Sequence, residues 1–520
     1  MPKHCLPRLF AALSAACLLP ACAAVNGVAP AAESIRPLTE AEARFARDFG
    51  AFLDHAMARL EAVPALSVAV ARSDRPIFVR AFGHADIQRN LPATADTRFY
   101  IASSTKSFVG LAFALLDARG DIDLDWTLAE LAPDIAFAPG VRAGEVTLRH
   151  LLSHSHGLEG AAIEFRLAFS GEHDPETLWR LLGSLSPNDD APLGTFNYGN
   201  VGYNVAALLV ERRLGRRWQE IVETEILEPA GMLQTLTRGL DSARSHAVFA
   251  APYDSGAPGG PVRLYLVKQD DTMQSAGGMF SSANDLAQWV RIQLAAAKGL
   301  TVTPLPAATV ATTHQPVASL DQRFEMFRRT GYGLGWYSGD YEGETLYHSF
   351  GSFAGARAHV SFRPAQDLGV AALANDEATG FILPDVAAAY AYAWFADGPE
   401  AAERQGRDLV ERIAREAGER LERAAAERAE RAGRPWRLTQ PPQAYVGRYC
   451  NADFGSITMR HEGGKLEMRM GRLQSDAEPF DRDDAIRVEP IPGRGLVLQF
   501  RSDGRPVAVQ AFGRTFERCN

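Results

Sequence analysis

Two apolar runs with strand character, Ala65-Leu-Ser-Val-Ala-Val-Ala71 and Ile77-Phe-Val-Arg-Ala-Phe82, stand near the start of this chain. Their counterparts come only much later: Tyr332-Gly-Leu-Gly-Trp-Tyr337, Thr345 to Ser349, Ala358-His-Val-Ser-Phe362 and Leu368-Gly-Val-Ala-Ala-Leu-Ala374. Between them, residues 147 to 158, 203 to 216 and 284 to 297 carry helical periodicity. Residues 38 to 62 do so before the first strand, with Phe45, Phe49, Phe52, Leu53 and Leu60 on one side. Short strands cannot stay soluble without burying a face. The pattern therefore predicts an α+β domain, in which one sheet is made from both ends of the segment and helices pack on it.

With 520 residues, 46% of them hydrophobic, there is material for a large core and for more than one domain. A net charge of -9 leaves no electrostatic footprint for nucleic acid. Residues 1 to 23 carry Lys3 and Arg8 and then an apolar run, Leu9 to Leu19, too short to span a bilayer, which is the pattern of a secretory signal. Two endings fit: cleavage after Ala21-Cys-Ala23, or lipidation of Cys22 in Leu19-Pro-Ala-Cys22, which resembles a bacterial lipoprotein box. The expectation is an exported protein, periplasmic or anchored to the outer membrane. Residues 38 to 397 form the main domain. Residues 398 to 442 read as a charged helix with Leu409, Ile413 and Leu421 on one stripe, followed by a proline-rich linker. Residues 443 to 520 have short strands and tight turns at Gly463-Gly464 and Asp503-Gly504, predicting a small antiparallel barrel-like domain. Cys450 and Cys519 lie at its two ends, and in an oxidising compartment a disulfide between them is expected, two unpaired thiols being the alternative.

Chemistry enters at Ile101-Ala-Ser-Ser-Thr-Lys-Ser-Phe108, where a polar run gives way to an apolar helix expected to stop at Gly120. Ser103 and Lys106 are three apart and so share a helix face. A serine hydroxyl becomes a good nucleophile when an adjacent base takes its proton, and a desolvated lysine can be that base. Arginine cannot. Of the 54 basic residues only five are lysine, so a lysine at 106 departs from the habit of the chain. A helix cap followed by a solvated lysine is the plain alternative.

Two further segments bear on that alternative. Phe196-Asn-Tyr198-Gly-Asn200 enters a helix and could aim Tyr198 and Asn200 into a cleft. Tyr198 beside an ammonium group is expected to have a lowered pKa and to share in moving the serine proton. In Leu346-Tyr-His348-Ser-Phe-Gly351, a strand running into glycines, free edge N–H groups could supply one oxyanion donor, the N–H of Ser103 being the second. His348 is expected beside the substrate.

These segments, in this order, resemble the serine β-lactamase and penicillin-binding-protein superfamily, in particular its class C-like branch of esterases and D-stereospecific peptidases, over about residues 40 to 395. Leu151-Leu-Ser-His154-Ser-His-Gly157-Leu, Pro229-Ala-Gly-Met232 with Thr235, and Ala276-Gly-Gly-Met-Phe-Ser-Ser-Ala-Asn-Asp285-Leu strengthen the match. The resemblance implies a β-lactamase/transpeptidase-like antiparallel sheet flanked by helices. It implies Ser103 as the acylated nucleophile, Lys106 and Tyr198 as its proton-transfer partners, Asn200 as a positioning group, and backbone oxyanion donors at Ser103 and Gly351, with no metal and no cofactor. Where β-lactamases carry Lys-Thr-Gly, this chain has His348-Ser-Phe350, and the glycine arrives one place later. A mostly neutral histidine instead of a fixed cation predicts weak carboxylate recognition, favouring ester or D-amino-acid amide and peptide substrates over penicillins. The alternatives are a β-lactamase or D-Ala-D-Ala carboxypeptidase, and a non-catalytic binder of cell-wall peptides. By analogy with D-aminopeptidase relatives, the C-terminal barrel would restrict substrate size. The chain has no Gly-x-Ser-x-Gly, and His150, His154 and His156 lack the glutamate base of a zinc hydrolase.

Overall fold

Helix α1 (Glu40–Arg59) begins where Thr39 and Glu42 satisfy each other's backbone N–H groups in a capping box, so its first turn leaves few orphan donors. Its apolar side, Phe45, Phe49, Phe52 and Leu53, is fully buried. The chain is described by a computed structural model over residues 36–519, apart from 245 and 258. The expected signal segment and Cys22 lie outside the described residues. From Leu38 onward the chain forms one compact unit.

Strands β1 (Ala65–Ala71) and β2 (Pro76–Asp86) form the expected hairpin, and α2 (Thr105–Arg119), α3 (Val201–Leu214) and α4 (Ala283–Ala297) the helical middle. Six strands then follow: β3 (Ala318–Phe324), β4 (Phe327–Tyr332), β5 (Tyr337–Tyr341), β6 (Glu344–Ser352), β7 (Arg357–Arg363) and β8 (Leu368–Ala374). Their order in the sheet is β3-β4-β5-β6-β7-β8-β1-β2, with Leu91–Pro92 as a short outer strand. The last long strand thus pairs with the first, Val370 opposite Val70, as strands at both ends of the domain demand. Because side chains alternate across a strand, Leu66, Val68 and Val70 meet α1 and α5 (Leu383–Ala396), whereas Val360, Ala371 and Leu373 meet α2 and α4. Each such valine or leucine side chain contributes roughly 1.5–3 kcal/mol by leaving water.

Three local expectations are corrected. Tyr332 to Tyr337 is not one strand: β4 ends at Tyr332 and β5 starts at Tyr337, and the turn between them includes Gly335 at φ +91°. A side chain at Gly335 would meet the backbone of Ser107 at 2.4 Å, so this turn is wedged against α2. Residues 147 to 158 hold only the five-residue helix Leu148–Leu152. In α6 (Pro399–Ala432) the buried stripe is Ala402, Gly406, Val410, Ile413 and Ala417; Ile413 is buried as expected and Leu409 packs at the edge of the same core, whereas Leu421 lies beyond it.

After α6, nine strands from Gly447 to Cys519 make a nearly closed barrel-shaped sheet. Its first and last strands pair, Arg448 opposite Cys519, and the Cys450–Cys519 disulfide staples them. The barrel packs on the π-helical segment Phe165–Ser170: Phe165 touches Phe454 and Phe512, and Arg166 donates to the carbonyls of Ala452 and Asp453.

Candidate active site

Ser103 sits in a single 3-10 turn, Ala102–Ser104, that feeds directly into α2. Ala102 before it has φ +45°, a left-handed conformation that costs a non-glycine residue free energy and persists where the surroundings impose it. Here they do: Phe99 and Tyr100 pair with Ser281 and Phe280, and the Ile101 N–H donates to the Met279 carbonyl. The turn leaves Ser103 partly exposed while the first three turns of α2 are buried.

Lys106, 1% exposed, lies under the Ser103 hydroxyl. Its Nζ is 3.1 Å from Ser103 Oγ, 3.0 Å from Asn200 Oδ1 and 2.7 Å from the Ala276 carbonyl. No carboxylate pairs with it directly, and burial pushes its pKa down to about 7, with Glu164 opposing the shift only in part. A large fraction is then an uncharged amine at neutral pH, able to accept the serine proton. Asn200 occupies the N-cap position of α3 without capping it, which frees its side chain for Lys106. The Asn200 amide is fixed from behind, Nδ2 donating to Glu164 Oε1 at 3.0 Å.

Tyr198 faces the Ser103 hydroxyl. Its expected acidity is corrected: burial raises the phenol to about 12, and the opposing effects of Ser103 and Arg329 do not compensate. Tyr198 is therefore a neutral phenol at physiological pH, not a standing phenolate. His154, held at φ +58°, packs with its ring tilted at 4.4 Å from the Tyr198 ring and is kept neutral by burial.

Strand β6 is a free edge only in part. It pairs with β5 as far as His348 opposite Tyr337, and with β7 as far as Ser352 opposite Arg357, so one side of residues 349–352 is open. Gly351 lies within that stretch against the serine turn: a Cβ added to it would stand 1.9 Å from the Ile101 carbonyl oxygen and 3.0 Å from the Ser103 nitrogen. That proximity is what a two-donor oxyanion site needs. Gly351→Ala, whose methyl group would press on the Ile101 carbonyl and displace the serine turn, should lower kcat/KM on an aryl ester by about 10²-fold with unchanged far-UV circular dichroism; retained activity would show that the position of this turn does not matter to the site.

His348 does not line the cleft as expected. It is 2% exposed, burial holds it neutral, and its Nδ1 accepts from Arg329 Nη2 at 3.1 Å. Behind it, Arg357 donates to Asp385 at 2.6 Å and His359 Nδ1 to the other carboxylate oxygen at 2.7 Å. His348, His359 and Asp385 are the one group of metal-ligand type among the described residues. The Asp385 oxygens and both His359 nitrogens are committed to hydrogen bonds, and two guanidiniums adjoin them. Burial by itself would raise the Asp385 carboxyl, but Arg357 and His359 hold it at about 2. Its stabilising contribution is thus complete above about pH 4 and is lost as pH falls toward 2. Asp385→Ala, which strands Arg357 in the core, should cost about 3–5 kcal/mol in urea unfolding at pH 7.

Of the three histidines weighed as zinc ligands, His150 Nδ1 accepts from the Thr147 N–H, and His156 Nδ1 from the Leu158 N–H. Sequence reasoning missed Glu164, the Ala276 carbonyl and Arg329. No motif marks Glu164. Arg329 carries a signal of a kind, standing between Phe327 and Gly331 at the inward positions of β4.

The sequence model of the Beta-lactamase family matches residues 53–395. An unguisins hydrolase of Aspergillus campestris is 27% identical over 60% of this chain and 58% of its own length. Esterase EstB of Burkholderia gladioli is 34% identical over 43% of this chain and 58% of its own. The chain thus spans under two-thirds of the length of either relative. Among solved structures, an octameric penicillin-binding-protein homologue from Pyrococcus abyssi aligns over 90% of this chain and 98% of its own, with a TM-score of 0.56 and 21% identity, which is a likeness of fold.

Proposed function

Because the chain belongs to the Beta-lactamase family of hydrolases, we propose that it hydrolyses esters or D-amino-acid-type amides and peptides through an acyl-enzyme on Ser103. One observation carries this reading: a buried amine without a carboxylate partner, 3.1 Å from a partly exposed serine hydroxyl. Lys106 takes the Ser103 proton as Oγ attacks the carbonyl carbon. The N–H groups of Ser103 and Gly351 then receive the oxyanion, and the leaving group departs with a proton passed through Tyr198. Water repeats the sequence in reverse order to free the acid.

For the substrate, the burial of His348 supports the sequence expectation. No cation at that position reaches the cleft, so a penicillin carboxylate lacks its usual counter-charge. The barrel supports a limit on substrate size, since it rests on segment 165–170, whose Phe169 meets Phe353 just past the oxyanion strand. A disulfide in the barrel fits work outside a reducing compartment. A panel of p-nitrophenyl esters, D- and L-amino-acid amides and nitrocefin tests the reading. Turnover of esters or D-amides well above nitrocefin is expected. Binding of these compounds without turnover would instead favour a non-catalytic receptor for cell-wall peptides.

A further inference from the structure

Arg329 is 4% exposed on β4, and among the described residues no carboxylate lies within ion-pair distance of it. The nearby Asp385 is already taken by Arg357 and His359. A buried cation without a counter-ion is costly, and a fold that retains one for stability alone would do better with an apolar residue. Arg329 has one side-chain hydrogen bond, to His348 Nδ1, and its Nε has no partner. What surrounds it is aromatic: the guanidinium carbon lies 3.7 Å from the Phe324 centroid, 3.8 Å from Tyr337 and 4.8 Å from Phe350. The same Tyr337 and Phe350 rings stack on Tyr198, at 6.0 and 5.8 Å. The cation is thus walled off from the cleft yet held against the group that faces the nucleophile.

We propose that Arg329 is a positioning residue that makes the Tyr198 phenol a stronger proton donor to the leaving group, its buried charge acting through the shared aromatic stack. The proposal rests on the acyl-enzyme reading above. When the tetrahedral intermediate collapses, the bond from carbon to the leaving oxygen or nitrogen breaks and its electron pair goes to the leaving atom. That atom takes the Tyr198 hydroxyl proton, and Tyr198 takes the proton that Lys106 received from Ser103. A cation nearby lowers the cost of the negative charge that develops on the phenol oxygen between the two transfers. His348, neutral and accepting through Nδ1, orients the guanidinium without cancelling its charge.

A leaving-group series tests this. Aryl and alkyl esters of one acid, from p-nitrophenyl to ethyl, are compared in wild type, Arg329→Met, Arg329→Lys and Tyr198→Phe, with kcat/KM measured for each. A p-nitrophenolate leaves without a proton and an alkoxide does not. Arg329→Met should therefore lose at least about tenfold more on the ethyl ester than on the p-nitrophenyl ester, and Arg329→Lys should recover most of that difference. In the Tyr198→Phe background, Arg329→Met should add no further leaving-group dependence. Equal losses across the series, or an Arg329 effect that persists without the Tyr198 hydroxyl, would overturn the proposal by showing a structural role only. If Arg329→Met does not fold, Arg329→Lys decides, because a steepened series there would show that a charge at this place is insufficient. A wild type that turns over no ester would instead defeat the acyl-enzyme reading itself.

Discussion

Ser103→Ala should abolish labelling by a fluorophosphonate probe and lower turnover of any ester substrate by about 10⁴-fold or more, the scale seen when a serine nucleophile is removed. The effect is large because Ser103 is the hydroxyl that the buried Lys106 amine reaches, at 3.1 Å. Its neighbours Ser104, in the same 3-10 turn, and Ser107, on α2, are buried, and Ser107 Oγ donates to the Ser104 carbonyl. The fold should survive. The Ser103 side chain is partly exposed, and losing Oγ removes one of three contacts of Lys106 while Asn200 and Ala276 remain. Intact mass spectrometry after labelling reads the result. A covalent adduct persisting in Ser103→Ala would place the nucleophile elsewhere and end the mechanism proposed here.

The second large effect belongs to Lys106. Burial lowers its pKa from the ordinary 10.5 to about 7, so the uncharged fraction grows tenfold per pH unit below 7 and saturates above. The kcat/KM of wild type should therefore rise with unit slope up to about pH 7 and then level off. The histidines nearest the site, His154 and His348, are pushed well below their usual range by burial, so neither of them supplies this limb. Lys106→Met should cost about 10³–10⁴-fold and erase the limb. Lys106→Arg should be no better, since a guanidinium keeps its proton. The linkage has a second consequence. A cationic group whose pKa is lowered by folding is destabilising below its folded pKa, and that cost is relieved as pH rises from about 7 toward 10.5. Lys106→Met should accordingly melt higher than wild type at pH 6, with a smaller difference at pH 9. A flat wild-type profile between pH 5 and 8 would sink the assignment of Lys106 as base.

Glu164 shows how far a structural contact can reach from a residue that no pattern marks. It holds the Asn200 amide from one side and is followed directly by the π-helical turn on which the barrel rests. Neither contact could be anticipated, because they join segments separated by 36 residues in one case and 287 in another. The disulfide was easier to see. With the cysteines of the expected signal segment set aside only two remain, and antiparallel closure of a small barrel brings its first and last strands side by side.

What the chain alone determined is whatever short-range geometry dictates. The Ser103–Lys106 juxtaposition follows from three-residue spacing at a helix start. The sheet drawn from both ends follows from short apolar runs at the two ends of the domain, and the barrel from the change of pattern after the proline-rich linker. What tertiary structure decided is how those groups behave. Lys106 has its lowered pKa only because the start of α2 is enclosed, Tyr198 stays a phenol because it too is buried, and His348 is turned into the wall by β7 and α5. The unpaired guanidinium of Arg329 and the close approach of Gly351 to the serine turn likewise arise from strands far apart in the chain. Burial and electrostatic fields are sums over the whole packed molecule, so no local run of residues contains them.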